Sequence, residues 1–402
     1  MFISFSLILT KKGVTIYNGR LMTMRRRYYS MELIDLRNNI DEIDSSILKL
    51  FEKRMAVCRQ VAQYKKENNL PIFQGGRENE VIERIKSKTS DENLKNGTAT
   101  LFTTIMDISK HLQQQEMLKE AAQPPFPAHI EAKLDSASKI ACQGISGSNS
   151  ETAAAMIFGS DKPFTFYPTF EDVFEAVENG EADYGVIPIH NSTAGSVTQT
   201  YDLMSKYNTY IVKSVCVEIN HCIAVKQDTD ISEVSEIYSH PQALSQCSDY
   251  ISKKGFTPIN YSNTATAAEY IANSSEKLAA ICSEECAKQF GLKIAKTNVA
   301  NVASNFTKFI CISKKFELTK EADTISVILK LSNTQGSLYR LLTKFTVNGL
   351  NLEKLESRPI KDGSFDVMFY LDFKGNIFDK SVEALIADLS QNLEFFKFLG
   401  VH

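Results

Sequence analysis

The sequence predicts a multidomain chain in which an all-α segment is followed by an α/β domain and then by an α+β domain. Between residues 32 and 119 the apolar residues recur every three or four positions, which is typical of amphipathic helices. From residue 139 to 313 short apolar runs alternate with helical patterns, as expected for an α/β domain. Residues 322–402 show the order βαββαβ, which predicts a ferredoxin-like sandwich.

Bulk composition excludes several classes of protein. At 402 residues and 43% hydrophobic content, the chain is too long for one ordinary core. A net charge of -3 gives no broad basic surface for a nucleic acid. No apolar run approaches the ~20 residues needed to cross a bilayer. We therefore expect a soluble, cytoplasmic protein that binds neither nucleic acid nor membrane.

The first domain is predicted over residues 31–120, with a long helix from Glu32 to about Asn68. A second helix follows Arg77, and a third covers roughly residues 98–119. Residues 1–30 contain no Asp or Glu and carry three consecutive arginines, so we expect a leader or an extended translation start, disordered and without a role in the fold.

Further boundaries follow from composition. Residues 121–138 include three prolines and lack periodicity, which predicts a linker. The α/β domain is predicted over 139–315, with strands in KIACQG, FTFYP, DYGVIPI, SEIYSH, KLAAICS and KFICIS. The last domain is predicted over 322–402, with helices from Ser337 to Gly349 and near residues 381–391.

Cations recur on the apolar face of the first predicted helix. Arg54 and Lys65 are eleven residues apart, which on a helix returns to nearly the same azimuth. Arg37 adds a third cation among leucines and an isoleucine. Long cationic side chains at the edge of an apolar stripe often extend to solvent; their recurrence weakens that interpretation without removing it, and an anion site is the alternative.

The cysteines indicate reduced thiols and no metal site. They are Cys58, Cys142, Cys216, Cys222, Cys247, Cys282, Cys286 and Cys311. No pair of C-x-x-C units offers four ligands. Cys282 and Cys286 share a helical face, yet two thiols without partner histidines are more often packing residues.

The segment ELIDLRNNIDEIDSSILKLFEKRMAVCRQVAQYKKENNLPIF resembles the all-helical chorismate mutase family, over about 85 residues. That resemblance implies two interlocked three-helix protomers, with Arg37 reaching into the site of the partner chain. The positions that match the family's binding residues are Arg37, Arg54, Lys65, Gln74, Arg77, Glu78, Ser109 and Gln113. Gln74 departs from the pattern, since the family often has an acidic residue there.

The implied reaction explains these residue types. Rearrangement of chorismate to prephenate is unimolecular and needs no nucleophile or metal, only restraint and charge complementarity. Guanidinium groups of Arg37 and Arg54 can hold two carboxylates, and such restraint supplies up to ~7 to 11 kcal/mol. Lys65 and Gln113 can donate to the ether oxygen as its bond breaks, and Glu78 can accept from the substrate hydroxyl.

In the α/β region the glycines of QGISGSNSETAAA follow a strand and precede a helix. They lack the full dinucleotide fingerprint, so a tight turn is favoured over NAD binding. The segment PIHNSTAGSV instead places several hydrogen-bonding side chains at the end of an apolar strand, where open α/β sheets bind ligands.

With SHPQALSQC, TATAAEYIA and SNFTKF, this segment resembles prephenate dehydratase throughout Lys139 to Ser313. The resemblance implies a two-lobed α/β fold similar to periplasmic binding proteins. It matches the family's catalytic threonine to Thr307. The positions matched to substrate contacts are Asn191, Ser192, Thr193, Gln242, Lys308 and Phe309.

Prephenate becomes aromatic by losing carbon dioxide and water, so a hydroxyl donor beside a cation is a sensible constellation. Thr307 and Lys308 are expected to supply that pair. Two positions depart from the family, which usually has Arg at 308 and Glu at 190. Lys308 loses the bidentate fork, and His190 replaces an anion by a group that titrates near neutrality.

At the C-terminal end, LSNTQGSLYRLLTKF and LESRPIKDG resemble the ACT regulatory domain, in which two such segments border a phenylalanine pocket. Free amides after Gly336 can receive an amino-acid carboxylate, and Glu356 can oppose its ammonium group. The alternative is a helix entry and a charged strand end. The matched positions are Gly336, Ser337, Leu338, Glu356, Ser357 and Arg358.

Together the resemblances imply an isomerase and a carbon-oxygen lyase of phenylalanine biosynthesis, inhibited by phenylalanine. Neither a metal nor an organic cofactor is expected. We expect a homodimer or a higher homo-oligomer. Two alternatives stay open: a dehydratase that prefers arogenate, and a non-catalytic amino-acid-sensing binding protein.

Overall fold

The computed structural model describes residues 33–68, 70, 75–118, 124–134, 138–360 and 366–402, together with 16–17 and 20–21. The chain divides into two compact units, residues 1–60 and 61–402. Apart from two short strands, the predicted leader lies outside the described residues, and so does Gln74. None of the described helices is both long enough and apolar enough to span a membrane.

The described residues include the predicted helices and strands, together with further strands that the sequence did not predict. The α-helices are α1 Leu33–Glu67, α2 Gly75–Lys88, α3 Lys95–Leu118, α4 Asn149–Phe158, α5 Phe170–Asn179, α6 Thr198–Lys206, α7 Pro241–Gln246, α8 Ser248–Lys254, α9 Thr264–Asn273, α10 Glu284–Gln289, α11 Ser337–Val347 and α12 Lys380–Asn392. The strands are β1 Ile16–Tyr17, β2 Arg20–Leu21, β3 Ile130–Glu131, β4 Ile140–Gln143, β5 Phe164–Tyr167, β6 Tyr184–Asn191, β7 Gly195–Ser196, β8 Tyr210–Glu218, β9 Cys222–Val225, β10 Glu236–Ser239, β11 Thr257–Asn260, β12 Ala279–Cys282, β13 Lys293–Lys296, β14 Phe306–Ser313, β15 Glu317–Leu318, β16 Thr324–Lys330, β17 Leu352–Pro359, β18 Val367–Lys374 and β19 Phe395–Val401.

Helix α1 has the predicted period but not the predicted burial. Its apolar stripe is a continuous row on one helix face, yet Ile43 and Leu50 are 59% and 68% exposed. Most of the other apolar side chains of α1 are similarly exposed. Among the described residues, most of the stripe is therefore left without apolar cover.

In the second unit, α3 packs on α2 and on the two C-terminal helices α11 and α12. The side-chain amide of Gln114 donates to Asp388 Oδ1 at 3.1 Å, and the hydroxyls of Thr104 and Tyr339 are 3.2 Å apart. The third helix of the all-α segment is thus held against the C-terminal domain.

The α/β region consists of two lobes. One contains a five-stranded sheet in the order β11-β10-β12-β9-β13, and the other contains β8-β14-β6-β4-β5. The chain crosses between them after β8 and again before β14. Separate buried clusters fill the lobes, one around Phe174 and Ile310 and another around Ile237 and Ile281. Two lobes joined by two crossings agree with the predicted fold.

The C-terminal domain is a ferredoxin-like sandwich. Its antiparallel strands lie in the order β17-β18-β16-β19, with α11 and α12 packed on the sheet core. Strand β19 also pairs in parallel with β8, where Gly400 lies opposite Ile211. A Cβ at Gly400, whose φ is +125°, would lie 2.3 Å from the Ile211 carbonyl oxygen. Only glycine allows this close pairing, which joins both sheets into one of ten strands.

Part of the predicted linker is packed. Phe126 is buried and stacks on Phe398 with ring centroids 6.2 Å apart. Strand β3 pairs with β15. The proline-rich segment is therefore fixed to the boundary between the α/β region and the C-terminal domain.

Candidate active sites

The turn after β6 orients the side chain of Asn191. Its Oδ1 accepts from the backbone N–H groups of Thr193 at 3.1 Å and Ala194 at 2.8 Å. Backbone N–H groups can only donate, so they fix which end of the amide is oxygen. Asn191 Nδ2 must then face β14, where it donates to Thr307 Oγ1 at 2.9 Å.

A closed ring of hydrogen bonds continues from this amide. Asn191 Nδ2 also donates to Asn305 Oδ1 at 2.8 Å, and Asn305 Nδ2 donates to Gln246 Oε1 at 3.2 Å. Gln246 Nε2 donates to Thr193 Oγ1 at 2.7 Å, and that hydroxyl returns to Asn191 Oδ1 at 2.8 Å. Each group donates to the next, so the direction of the ring is fixed.

His221 extends the ring from the first crossing between the lobes, just before β9. Its Nε2 lies 2.9 Å from Gln246 Oε1. Because this oxygen only accepts, Nε2 carries the proton and Nδ1 is bare in the neutral ring. Burial lowers the pKa of His221, against the opposing effect of Gln246, so the neutral form is favoured.

The ring determines what the hydroxyl of Thr307 can do. One of its lone pairs accepts from Asn191, and the side chain is 9% exposed. Among the residues that the structure describes, no protein acceptor is bonded to the hydroxyl proton. The hydroxyl of Thr307 therefore keeps its proton for a further hydrogen bond.

Lys308 requires a correction. Consecutive residues of a strand point to opposite faces, and Lys308 lines a cavity of about 310 Å³ with Tyr201, Lys354 and His402. That cavity lies on the side of the C-terminal domain, away from the ring. The predicted pair of Thr307 and Lys308 at one site is therefore wrong, because strand geometry separates the two side chains.

His190 lies on the same face of the sheet as Lys308. The two are cross-strand partners, in the same register as Asn191 and Thr307, and directly opposed residues of neighbouring strands share a face. Both departures from the family pattern therefore line the same cavity. Burial, followed by the charge of Lys354, lowers the pKa of His190.

Three other predicted dehydratase contacts have different positions. The side chain of Ser192 binds the start of β14, since its Oγ accepts from the backbone N–H of Phe306 at 2.9 Å. Phe309 is 2% exposed within the lobe core, so a substrate contact at this side chain is contradicted by its packing. Gln242 is exposed near the start of α7, where its backbone N–H donates a hydrogen bond to His240 Nδ1.

Some of the predicted mutase residues meet on α3. Ser109 and Gln113 are one turn apart, and both are buried. Gln113 Nε2 donates to the Ser109 carbonyl at 3.2 Å, and Gln113 Oε1 has no partner among the described residues. This amide keeps bonding capacity for a ligand. Lys65, near the end of α1, is buried as well.

Glu78 lies against α3 because Lys110 Nζ is 3.1 Å from its Oε2. Arg77, its neighbour, is exposed and pairs with Glu80 on its own helix at 3.1 Å. In the first unit Arg37 is exposed and Arg54 is partly buried. The structure thus joins Glu78 to α3 and leaves Arg77 on the helix surface.

The residues predicted to bind phenylalanine fall into two groups. Gly336, Ser337 and Leu338 start α11, and Ser337 lines a cavity of about 370 Å³ with residues of α2 and α3. On β17, Glu356 accepts from Ser196 Oγ at 2.8 Å, and Arg358 is 3.4 Å from Asp202. Ser357, between them, lies on the opposite face of β17 from these two.

Sequence reasoning did not select Gln246 or His221, although Gln246 lies within the quoted segment SHPQALSQC. The sequence feature that could have identified Gln246 is its position four residues after Gln242 on the same short helix. Nothing in the sequence around His221 indicates its contact with Gln246, because the contact depends on how the lobes meet.

Two segments of the chain match families of known enzymes. Residues 36–114 match the family of chorismate mutase type II, and residues 140–317 match prephenate dehydratase. The bifunctional chorismate mutase/prephenate dehydratase of Aquifex aeolicus is 31% identical over 92% of this chain and 97% of its own. That of Enterobacter agglomerans is 32% identical over 92% and 95%.

A solved structure gives the same result for the second part of the chain. The prephenate dehydratase of Arthrobacter aurescens in complex with L-Phe has a TM-score of 0.61 and 26% identity, covering 65% of this chain and 89% of its own. The chain therefore belongs to the family of bifunctional chorismate mutase/prephenate dehydratase enzymes.

Proposed function

We propose that prephenate binds between the two lobes and that Thr307 donates its proton to the departing hydroxyl. As the ring carboxylate leaves as carbon dioxide, its electron pair enters the ring and the opposite C–O bond breaks. The leaving hydroxide takes the Thr307 proton and departs as water, and the threonine is reprotonated from solvent. The hydrogen bond from Asn191 to Thr307 carries this proposal, because it orients the donor.

For the mutase, we propose that Arg37 and Arg54 hold the two carboxylates of chorismate. Lys65 and Gln113 donate to the ether oxygen as negative charge grows there. Glu78 accepts from the substrate hydroxyl. The burial of Lys65 and the unpaired oxygen of Gln113 support a ligand at this part of α1 and α3.

A homodimer would complete that site. The apolar stripe of α1 is exposed in one chain, and Arg37 is exposed on the same helix. A second copy of α1 offers a matching apolar stripe, so helix pairing would bury both. Sedimentation of the purified chain tests this: we expect a dimer, and a monomer at micromolar concentration would contradict it.

The C-terminal domain is proposed to bind phenylalanine as an ACT domain. Glu356 now accepts from Ser196, which follows the turn that carries Asn191. An amino-acid ammonium that takes Glu356 would release Ser196 and loosen the turn. The L-Phe complex of the Arthrobacter relative supports this ligand. Replacement Glu356→Gln should weaken inhibition of the dehydratase and leave its uninhibited rate within about threefold.

One assay tests both activities. The purified chain is given chorismate, and chorismate loss and phenylpyruvate release are followed with and without phenylalanine. We expect both, with phenylalanine slowing phenylpyruvate release. A non-catalytic sensor is not favoured, since both enzyme domains match over their lengths. Equal or faster turnover of arogenate than of prephenate would overturn the assignment of prephenate as the preferred substrate.

A further inference from the structure

Lys110 lies between two carboxylates that sequence reasoning did not connect. Its ammonium is 3.1 Å from Glu78 Oε2 on α2 and 2.8 Å from Asp107 Oδ1 on its own helix. All three side chains are largely buried, with 19%, 25% and 5% of the Lys110, Glu78 and Asp107 side chains exposed. Because both oxygens bond the same nitrogen, they lie within about 6 Å of each other.

The surrounding charges make Lys110 hard to replace. Lys110 lines the cavity of about 370 Å³ that also contains Ser337. The charged groups that line it are Glu78, Asp107, Lys110, Arg340, Lys344 and Asp388. Lys344 is already paired with Asp388. Without Lys110, the carboxylates of Glu78 and Asp107 would face each other in a site that is largely shielded from water.

We propose that Lys110 is a positioning residue for the mutase reaction, which keeps Glu78 ionised and aimed at the substrate hydroxyl. This inference rests on the proposed role of Glu78. Only an ionised carboxylate is purely an acceptor, since a protonated one presents a donor. Lys110 itself touches no reacting atom in this account and acts through Glu78.

Geometry and charge agree on the state of the pair. Burial alone would lower the pKa of Lys110, but the contacts with Asp107 and Glu78 raise it. The ammonium therefore stays charged at neutral pH. Asp107 Oδ2 has no hydrogen-bond partner among the described residues. Asp107 is therefore a repulsive neighbour for Glu78 once the ammonium is removed.

The test uses the whole chain with variants Lys110→Met, Lys110→Arg, Lys110→Met with Asp107→Asn, and the control Lys86→Met. Lys86 is a more exposed lysine on α2 that pairs with Glu83. Mutase kcat and KM are measured from pH 6 to 9, and dehydratase turnover of added prephenate reports on the fold of the same molecules.

We expect Lys110→Met to lower mutase kcat/KM about tenfold at pH 7.5. Because the Glu78 and Asp107 carboxylates would then repel each other, the acid limb of kcat/KM should move to higher pH. Lys110→Arg should stay within about threefold of the parent, and the added Asp107→Asn should bring the acid limb back. Lys86→Met should change neither.

An unchanged acid limb in Lys110→Met would overturn the proposal, as would equal losses in the Met and Arg variants. A parallel loss of mutase and dehydratase activity would also overturn it, because that pattern indicates a packing role. The parent's own chorismate turnover reports on the proposed mutase function. The difference between the Lys110 and Lys86 variants reports on Lys110 alone.

Discussion

Asn191 donates a 2.9 Å hydrogen bond to Thr307 while its oxygen is held by the backbone N–H groups of Thr193 and Ala194. The amide cannot turn over without losing both backbone bonds. This relationship makes a weakly acidic hydroxyl a donor of fixed direction, which is the property that loss of water from prephenate requires.

Replacing Asn191 by Asp should test that direction. The new carboxylate would still accept from the backbone, but its second oxygen would accept the Thr307 proton instead of donating to the hydroxyl. We expect dehydratase kcat to fall about 100-fold or more, with mutase activity unchanged. Exposed Asn273, whose side chain donates to the Glu269 carbonyl at 3.0 Å, provides the control Asn273→Asp. Dehydratase activity retained in Asn191→Asp would contradict the orienting role.

Asp388 connects the mutase helix α3 to the C-terminal domain. It accepts from Gln114 and pairs with Lys344. Replacement Asp388→Asn removes the ion pair, so we expect phenylalanine inhibition of the mutase to weaken about fivefold or more. Inhibition of the dehydratase should persist, because the contact between the C-terminal domain and the α/β region that we expect phenylalanine to change is the bond from Ser196 to Glu356, which does not involve Asp388. Glu383→Gln on the same helix is the control, and equal inhibition in all three proteins would refute the link.

Stability should fall on acidification because of His402. Burial, followed by the charge of Lys308, lowers the pKa of His402 to about 4. The unfolded histidine has a pKa of about 6.5, so the unfolded chain binds a proton first and stability is lost as the pH falls from about 6.5 towards 4. The contribution is at most about 3 kcal/mol.

This pH effect is measured by urea unfolding at pH 7.5 and 5. The parent should lose more stability between these values than His402→Gln, while exposed His129→Gln should behave as the parent. An equal pH dependence in the parent and His402→Gln would show that His402 does not contribute.

Gly400 should tolerate no side chain. Alanine there would meet the Ile211 carbonyl oxygen, whereas alanine at Gly349, which also has a positive φ, would meet nothing within 4 Å. Gly349→Ala should cost about 1 kcal/mol, and Gly400→Ala about 2 kcal/mol more, since β19 must part from β8. Similar unfolding free energies for both variants would mean that the close pairing is not needed.

Much of the architecture could be predicted from local pattern. The short runs ending at Gln143, Tyr167 and Ser239 are strands as expected, because each is a compact apolar segment flanked by turn residues. Strand β8 and its pairing with β19 were not predicted, since a parallel contact between residues 211 and 400 leaves no local signal.

The sites were partly predictable. Thr307 and Asn191 could be placed by resemblance, and they meet as cross-strand partners. Strand alternation alone would have placed Lys308 on the other face, but the pairing of His190 with Lys308 depends on the register between β6 and β14, which leaves no local signal in the sequence. The exposure of Ile43 and Leu50 was not predictable either, because an apolar period marks a helix face without saying what packs against it.

The most direct measurement compares Thr307→Ala and Thr307→Ser in the purified chain, with chorismate loss and phenylpyruvate release followed in one reaction. Thr307→Ala should stop phenylpyruvate release, by at least about 1000-fold, while chorismate is still converted and prephenate accumulates. Thr307→Ser should retain measurable release because it keeps the hydroxyl. Phenylpyruvate formed by Thr307→Ala at the parent's rate would contradict the account.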